Sequence, residues 1–299
     1  MRMIVKTFIG ITLVGMIVLG ARWWYFYEQY RQDLPTRDIV IAGIQRQYHI
    51  YVPDSVADQP AEIIVLLQGG DAGSWIFPQQ DLWESLADER GMILAVPIGM
   101  IFGDNEGAWQ LNTGPLTMQD IQYISGMLDD ISIQYEIEPA RVFAVGYSLG
   151  SMFSYELACQ MSGRFAAIAS FAGTMPVVHQ SCNLRRHVPI MHIHGTEDPI
   201  IQYHRTWDWK AWDSVGTMRD IPSLIQYWAG KYGCSEIDEI RSENVIKLQH
   251  SSCQQNVTVE HFRLVNGGHS WPKSIGEVST HSLIWSFLDR FEIKNEITQ

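Results

Sequence analysis

Ser148 stands between two glycines in Gly146-Tyr147-Ser148-Leu149-Gly150, after the apolar run Val142-Phe143-Ala144-Val145 and before the helix-like run Phe153 to Met161. A serine on so sharp a strand-to-helix turn exposes its hydroxyl above a sheet, and flanking glycines remove Cβ atoms that would clash there. The pattern suits a covalent nucleophile, which needs a base to take its proton and a carboxylate to orient that base. Both follow in the chain. Pro189-Ile190-Met191-His192-Ile193-His194 reads as a buried strand entering the turn-rich Gly195-Thr196-Glu197-Asp198-Pro199, and Val257 to Val265 as a strand stopping at Asn266-Gly267-Gly268-His269. Asp198 and His269 are the expected acid and base, with Glu197 the neighbouring alternative for the acid. An oxyanion needs two backbone donors, one after the nucleophile and one from a loop after the third strand. The amides of Leu149 and of Gly70, in Gln68-Gly69-Gly70-Asp71-Ala72-Gly73, fill those places.

The elements that must position these residues read as an α/β protein with a mostly parallel, doubly wound sheet. Strands are expected near Ile39–Ile41, Gln47–Val52, Ile63–Leu67, Met92–Val96, Val142–Val145, Ala166–Phe171, Ile190–His194 and Val257–Val265. The continuous apolar run Ile63-Ile64-Val65-Leu66-Leu67 is that of a central parallel strand. The first two strands, joined at Gly43, are expected as an antiparallel N-terminal edge hairpin. Ile121, Ile124, Leu128, Ile131 and Tyr135 form a helical stripe, and Thr117 with Asp120 resembles a capping box at its start.

With these motifs in place, the chain resembles the α/β-hydrolase group of polyhydroxybutyrate depolymerase-like and feruloyl or acetylxylan esterases over about residues 37 to 291. The landmarks are Arg46 to Pro53, Val96-Pro97-Ile98-Gly99, Pro139-Ala140-Arg141-Val142, the Ser148 turn, the Asp198 loop and Gly267-Gly268-His269-Ser270-Trp271-Pro272. The resemblance implies a serine esterase of the α/β-hydrolase fold with no cofactor, and carries nucleophile, acid and base onto Ser148, Asp198 and His269. Gln68-Gly69 stands where the group usually has His-Gly, and Ser151 where it often has glycine. Donors that are backbone amides survive both changes, whereas the substrate's shape near Gln68 does not follow from the group. Gln68, Tyr147, Trp207 and Trp271 are candidates to line the cleft, with Trp209 and Trp212 beside Trp207. The alternatives are an acyltransferase or peptidase using the same residues, and a catalytically silent polymer- or carbohydrate-binding module.

A net charge of −12 with no basic cluster argues against a nucleic-acid partner. Residues 37–299, without repeats or linkers, suit one catalytic domain. Residues 1–36 read separately: Arg2 and Lys6 precede the uncharged Thr7 to Ala21 and then Trp23-Trp24-Tyr25-Phe26-Tyr27. The apolar stretch fits a signal peptide cleaved near Gly20 or Ala21, and the aromatic cluster favours an uncleaved membrane anchor. Either exports the enzyme, to the periplasmic side of an inner membrane or to the outside. Export fits Cys159, Cys182, Cys234 and Cys253, an even number without metal-type spacing. Four cysteines allow three pairings; their placement favours Cys159 with Cys182 and Cys234 with Cys253, and the resemblance points the same way. His192 and His194 share a strand face and could ligate a metal, but a packed, hydrogen-bonded pair is the expectation, so no metal is assigned.

Overall fold

Strands buried on both faces need apolar side chains at nearly every position, and the chain supplies such runs in the middle of its sheet. The computed structural model describes residues 20, 35–58, 60–70, 77–100, 109–112, 119–179, 182–209 and 215–294. The chain divides into two units, Met1–Thr36 and Arg37–Gln299. The apolar N-terminal stretch, Asp71 to Gly73, Thr117 and Trp212 lie outside the described residues.

The strands are β1 (Thr36–Ile41), β2 (Ile44–Tyr51), β3 (Ala61–Leu67), β4 (Ile93–Pro97), β5 (Ile137–Tyr147), β6 (Ala167–Phe171), β7 (Ile190–Gly195), β8 (Trp207–Asp208), β9 (Thr217–Met218), β10 (Glu236–Arg241), β11 (Val245–Ser251), β12 (Val259–Leu264), β13 (Ser274–Ile275) and β14 (Val278–Ser279). Ten form one sheet in the order β1-β2-β4-β3-β5-β6-β7-β12-β11-β10. The run from β4 through β3, β5, β6 and β7 to β12 is parallel, and β2 joins it antiparallel through β4. Ala42 and Gly43, both at positive φ, turn β1 into β2 at the N-terminal edge. The other edge differs from the expected pattern. There β12, β11 and β10 run antiparallel, an extension that the sequence did not announce.

Helices α1 (Gln80–Arg90), α2 (Gln119–Gln134), α3 (Leu149–Gln160), α4 (Ile221–Lys231) and α5 (Thr280–Leu288) cover the sheet. Alternation along β3 divides the core: Ile63, Val65 and Leu67 pack with residues of α2, α3 and α4, whereas Ile64 and Leu66 pack with those of α1 and α5. Each such fully buried aliphatic side chain contributes roughly 1.5–3 kcal/mol. The α2 stripe buries Ile124, Leu128 and Ile131 as expected. The capping-box pairing of Asp120 with Thr117 lies outside the described residues. The buried Asp120 carboxylate lies 2.8 Å from Arg46 and accepts the Gln110 amide at 2.7 Å, tying the segment before α2 to β2. Cys159–Cys182 and Cys234–Cys253 are disulfides, the first joining α3 to the segment that follows β6.

Candidate active site

Every residue singled out for chemistry sits just past the carboxyl end of a parallel strand. Gly69 and Gly70 follow β3, Ser148 follows β5, Asp198 follows β7 and His269 follows β12. β4 lies on one side of β3 and β5 on the other, so the chain reverses its winding direction here. In open α/β sheets such a reversal leaves a crevice where ligands bind.

Ser148 occupies φ 53°, ψ −118°, backbone that non-glycine residues reach only at a strain of about 1–3 kcal/mol. Its amide donates to the Phe171 carbonyl at 2.9 Å, and its own carbonyl accepts from the Met152 amide at 3.1 Å as α3 begins. The flanking glycines are required by contact. A Cβ on Gly146 would lie 2.3 Å from the Gly150 oxygen, and one on Gly150 would lie 2.1 Å from the Leu67 oxygen. The turn after β5 is therefore pressed against the end of β3, and a Cβ built on Gly69 would come within 3.3 Å of Ser148 Cβ. Trp109 steadies this junction, stacking on Phe153 and donating its indole N–H to the Gln68 carbonyl at 3.0 Å.

The structure brings Ser148, His269 and Asp198 together. His269 Nε2 lies 2.9 Å from Ser148 Oγ, and His269 Nδ1 lies 2.7 Å from Asp198 Oδ2. Asp198 Oδ1 accepts the amides of Ile200 and Ile201, each at 2.8 Å, and Oδ2 also lies 3.3 Å from His194 Nε2. Burial would raise the Asp198 pKa, but hydrogen bonds from His194, His269 and the Ile201 amide together hold it far below the ordinary carboxylate value. Its carboxylate is thus ionised wherever an imidazole is neutral. Glu197 is exposed and points its backbone amide, at 2.9 Å, to the Gly267 carbonyl, which leaves Asp198 alone against the imidazole.

The expected cleft residues differ in their settings. Tyr147 packs beside His269, ring centroids 5.5 Å apart, and its hydroxyl donates to the His269 carbonyl at 3.2 Å. Trp271 packs among Phe77, Phe171 and Tyr147, supporting the His269 loop from beneath. Trp207 pairs with Trp209 at 5.2 Å on the small β8–β9 sheet. Gln68 is 2% exposed, and among the described residues neither atom of its side-chain amide has a hydrogen-bond partner. Leu149 begins α3, and Gly70 remains partly exposed beyond Gly69. The Ile200 and Ile201 amides and Trp109 were not legible as site residues, because backbone donors and a distant indole carry no spacing signal.

His192 and His194 turn out to be buried and hydrogen-bonded, His192 Nδ1 to Tyr155 Oη at 2.8 Å and Ser170 Oγ at 3.1 Å, and His194 Nε2 to the Ile201 carbonyl at 2.8 Å. Among the described residues, the group able to surround a metal is Cys159, His179 and Cys182. Its two sulfurs are bonded to each other, so they offer no thiolate ligand.

A serine on a strained strand-to-helix turn at the switch point of a largely parallel sheet, with an aspartate and a histidine after later strands, is the arrangement of the α/β-hydrolase fold. Residues 111–210 match the Phospholipase/Carboxylesterase family model. The chain is 24% identical over 263 residues to a bifunctional acetylxylan esterase/xylanase from Neocallimastix patriciarum, covering 86% of this chain and 35% of that protein. It is 23% identical over 227 residues to feruloyl esterase B of Piromyces equi, covering 75% and 40%. A probable feruloyl esterase C of Aspergillus flavus is 25% identical over 255 residues, covering 81% and 83%. Among solved structures, an acetyl xylan esterase from Aspergillus awamori superposes with a TM-score of 0.61 at 13% identity, over 85% of this chain and 99% of that one. The chain thus has the α/β-hydrolase fold and is similar to feruloyl and acetylxylan esterases. It spans 35%, 48% and 40% of the length of the first curated relatives it matches.

Proposed function

We propose that the protein is an exported serine esterase acting on carboxylic esters of feruloyl, acetyl-sugar or hydroxyalkanoate type, including polymeric ones. The observation that carries this reading is the unbroken line of hydrogen bonds from Asp198 through His269 to the hydroxyl of a strained Ser148. A binding module has no use for a serine held at that backbone cost.

His269, neutral and carrying its hydrogen on Nδ1 toward Asp198, takes the Ser148 proton on Nε2 as Oγ attacks the ester carbonyl carbon. The imidazolium formed is stabilised by the Asp198 carboxylate, and the oxyanion faces the Leu149 and Gly70 amides. Collapse breaks the bond to the alcohol oxygen, which receives the proton from His269 and leaves. Water then enters, gives a proton to His269 and attacks the acyl-enzyme carbonyl; collapse breaks the bond to Ser148 Oγ, which takes that proton back from His269, and the acid leaves. No cofactor enters either half of the cycle.

Export is supported by the two disulfides, which persist in oxidising compartments, and by the apolar stretch from Thr7 to Ala21. Where that stretch is retained, it tethers the enzyme to the membrane. Among the described residues no helix is long and apolar enough to cross one.

The test is hydrolysis of a panel of aryl, feruloyl, acetyl-sugar and hydroxyalkanoate esters by the full chain. Ser148→Ala and His269→Ala are each expected to lower turnover by on the order of a millionfold, and Asp198→Asn by on the order of ten thousandfold. Wild-type turnover in Ser148→Ala rules the mechanism out.

A further inference from the structure

His194, the last residue but one of β7, stands four residues before Asp198, and its ring is fully buried. The Nε2 atom lies between two oxygen acceptors, the Ile201 carbonyl at 2.8 Å and Asp198 Oδ2 at 3.3 Å. An acceptor pair demands a donor, so the hydrogen sits on Nε2. The other nitrogen, Nδ1, is buried and has no partner among the described residues. A hydrogen on Nδ1 would be a buried N–H without an acceptor, so the geometry selects the Nε2–H tautomer. The His192 ring stacks on it at 5.3 Å and the Tyr203 ring meets it edge-on at 6.0 Å, so two aromatic rings pack against the imidazole.

The same N–H reaches the carboxylate by two routes. Directly, it faces Oδ2, the oxygen that holds His269. Indirectly, it fixes the carbonyl of Ile201, whose own amide donates to Oδ1 at 2.8 Å. With Oδ1 alone anchored, the carboxylate is free to swing Oδ2 away from His269; a donor on Oδ2 removes that freedom.

We propose that His194 is a positioning residue: through one Nε2–H shared by the Ile201 carbonyl and Asp198 Oδ2, it locks the turn after β7 and aims the carboxylate at His269. An apolar side chain would fill this core position without leaving a buried, unpaired nitrogen. The histidine is accounted for by the donor it presents. This inference rests on the reading of Ser148, His269 and Asp198 as a catalytic triad.

The experiment compares His194→Phe, which keeps an aromatic ring and removes the donor, with His194→Gln, whose side-chain amide can reach the place of Nε2. Both are made in the full chain and assayed on p-nitrophenyl acetate beside Ser148→Ala, with circular dichroism and thermal melts reporting the fold. His194→Phe is expected to lower kcat roughly 10- to 100-fold with KM little changed, the scale expected when catalytic groups lose alignment. His194→Gln is expected to recover most of that loss. A folded His194→Phe with wild-type kcat, or a glutamine variant no better than phenylalanine, overturns the proposal. Should the phenylalanine variant not fold, ¹⁵N NMR of the histidine side chains of the wild-type protein decides: hydrogen on Nε2 of His194 supports it, and hydrogen on Nδ1 overturns it. Activity retained by Ser148→Ala refutes the triad instead, whereas an inactive Ser148→Ala with fully active His194 variants refutes the role of His194 alone.

Discussion

The loops that carry Asp198 and His269 touch through backbone, and replacing Gly195 by alanine tests that contact. A Cβ at Gly195 would stand 2.2 Å from the Gly267 oxygen and 2.4 Å from the Gly268 oxygen, with no flexible side chain available to yield. Cβ atoms essentially never approach closer than 3.0 Å, so the loops must part by about 0.8 Å. Gly267 and Gly268 lead directly into His269, so the imidazole moves with them. Its hydrogen bonds are 2.7 Å to Asp198 and 2.9 Å to Ser148, and such an opening carries one or both beyond the range of a good hydrogen bond. A displacement approaching 1 Å lowers turnover about a hundredfold, and overpacking of this kind destabilises by roughly 1–3 kcal/mol. Steady-state hydrolysis of p-nitrophenyl acetate with a parallel thermal melt measures both. Gly230→Ala is the control: within α4, nothing lies within 4 Å of its added Cβ. It should leave kcat unchanged and stabilise by up to about 1 kcal/mol. Wild-type kcat in Gly195→Ala would refute the reasoning.

Burial holds His192 well below its ordinary pKa of 6.5 and His261 down to about 3. Between about pH 6.5 and 3 the unfolded chain therefore binds protons that the folded chain does not, and stability falls as pH falls through that window. Denaturant melts should show a loss approaching about 1.4 kcal/mol per pH unit for each such histidine, and a flat profile from pH 6.5 to 4.5 contradicts the assignment. Gln68→Met removes a buried amide with no partner among the described residues and should raise the unfolding midpoint by an equivalent of about 1–3 kcal/mol while changing the preference among acyl groups; a destabilised variant contradicts this. The double change Cys234→Ser with Cys253→Ser opens a bridge spanning 19 residues in sequence and should cost about 3 kcal/mol in denaturant melts. An unchanged midpoint contradicts that contribution.

Ser148, Asp198 and His269 were legible because each follows an apolar strand and sits among glycines or turn residues, and their strand ends share one side of the sheet. Their mutual fit was not legible. It depends on Gly195 against Gly267 and on Gly150 against Leu67, contacts between segments far apart in sequence. β5 begins five residues earlier than the apolar run at Val142, since Pro139 and Arg141 dilute the strand signal where the strand is only partly buried. β10 went unread because every residue of Glu236-Ile237-Asp238-Glu239-Ile240-Arg241 is exposed, so burial imposes no period on the sequence. His192 and His194 showed their shared face but not their partners, since Tyr155, Ser170 and the Ile201 carbonyl are brought to them by other elements.

The central claim is that Ser148 forms the acyl-enzyme. Treating the full chain with a fluorophosphonate and mapping the modified peptide by mass spectrometry tests it most directly. The account predicts a single adduct on Ser148, formed in step with loss of esterase activity, much slower in His269→Ala and absent in Ser148→Ala. Stoichiometric inactivation with the adduct on another residue, or a Ser148→Ala protein that still turns over esters and still labels, contradicts it.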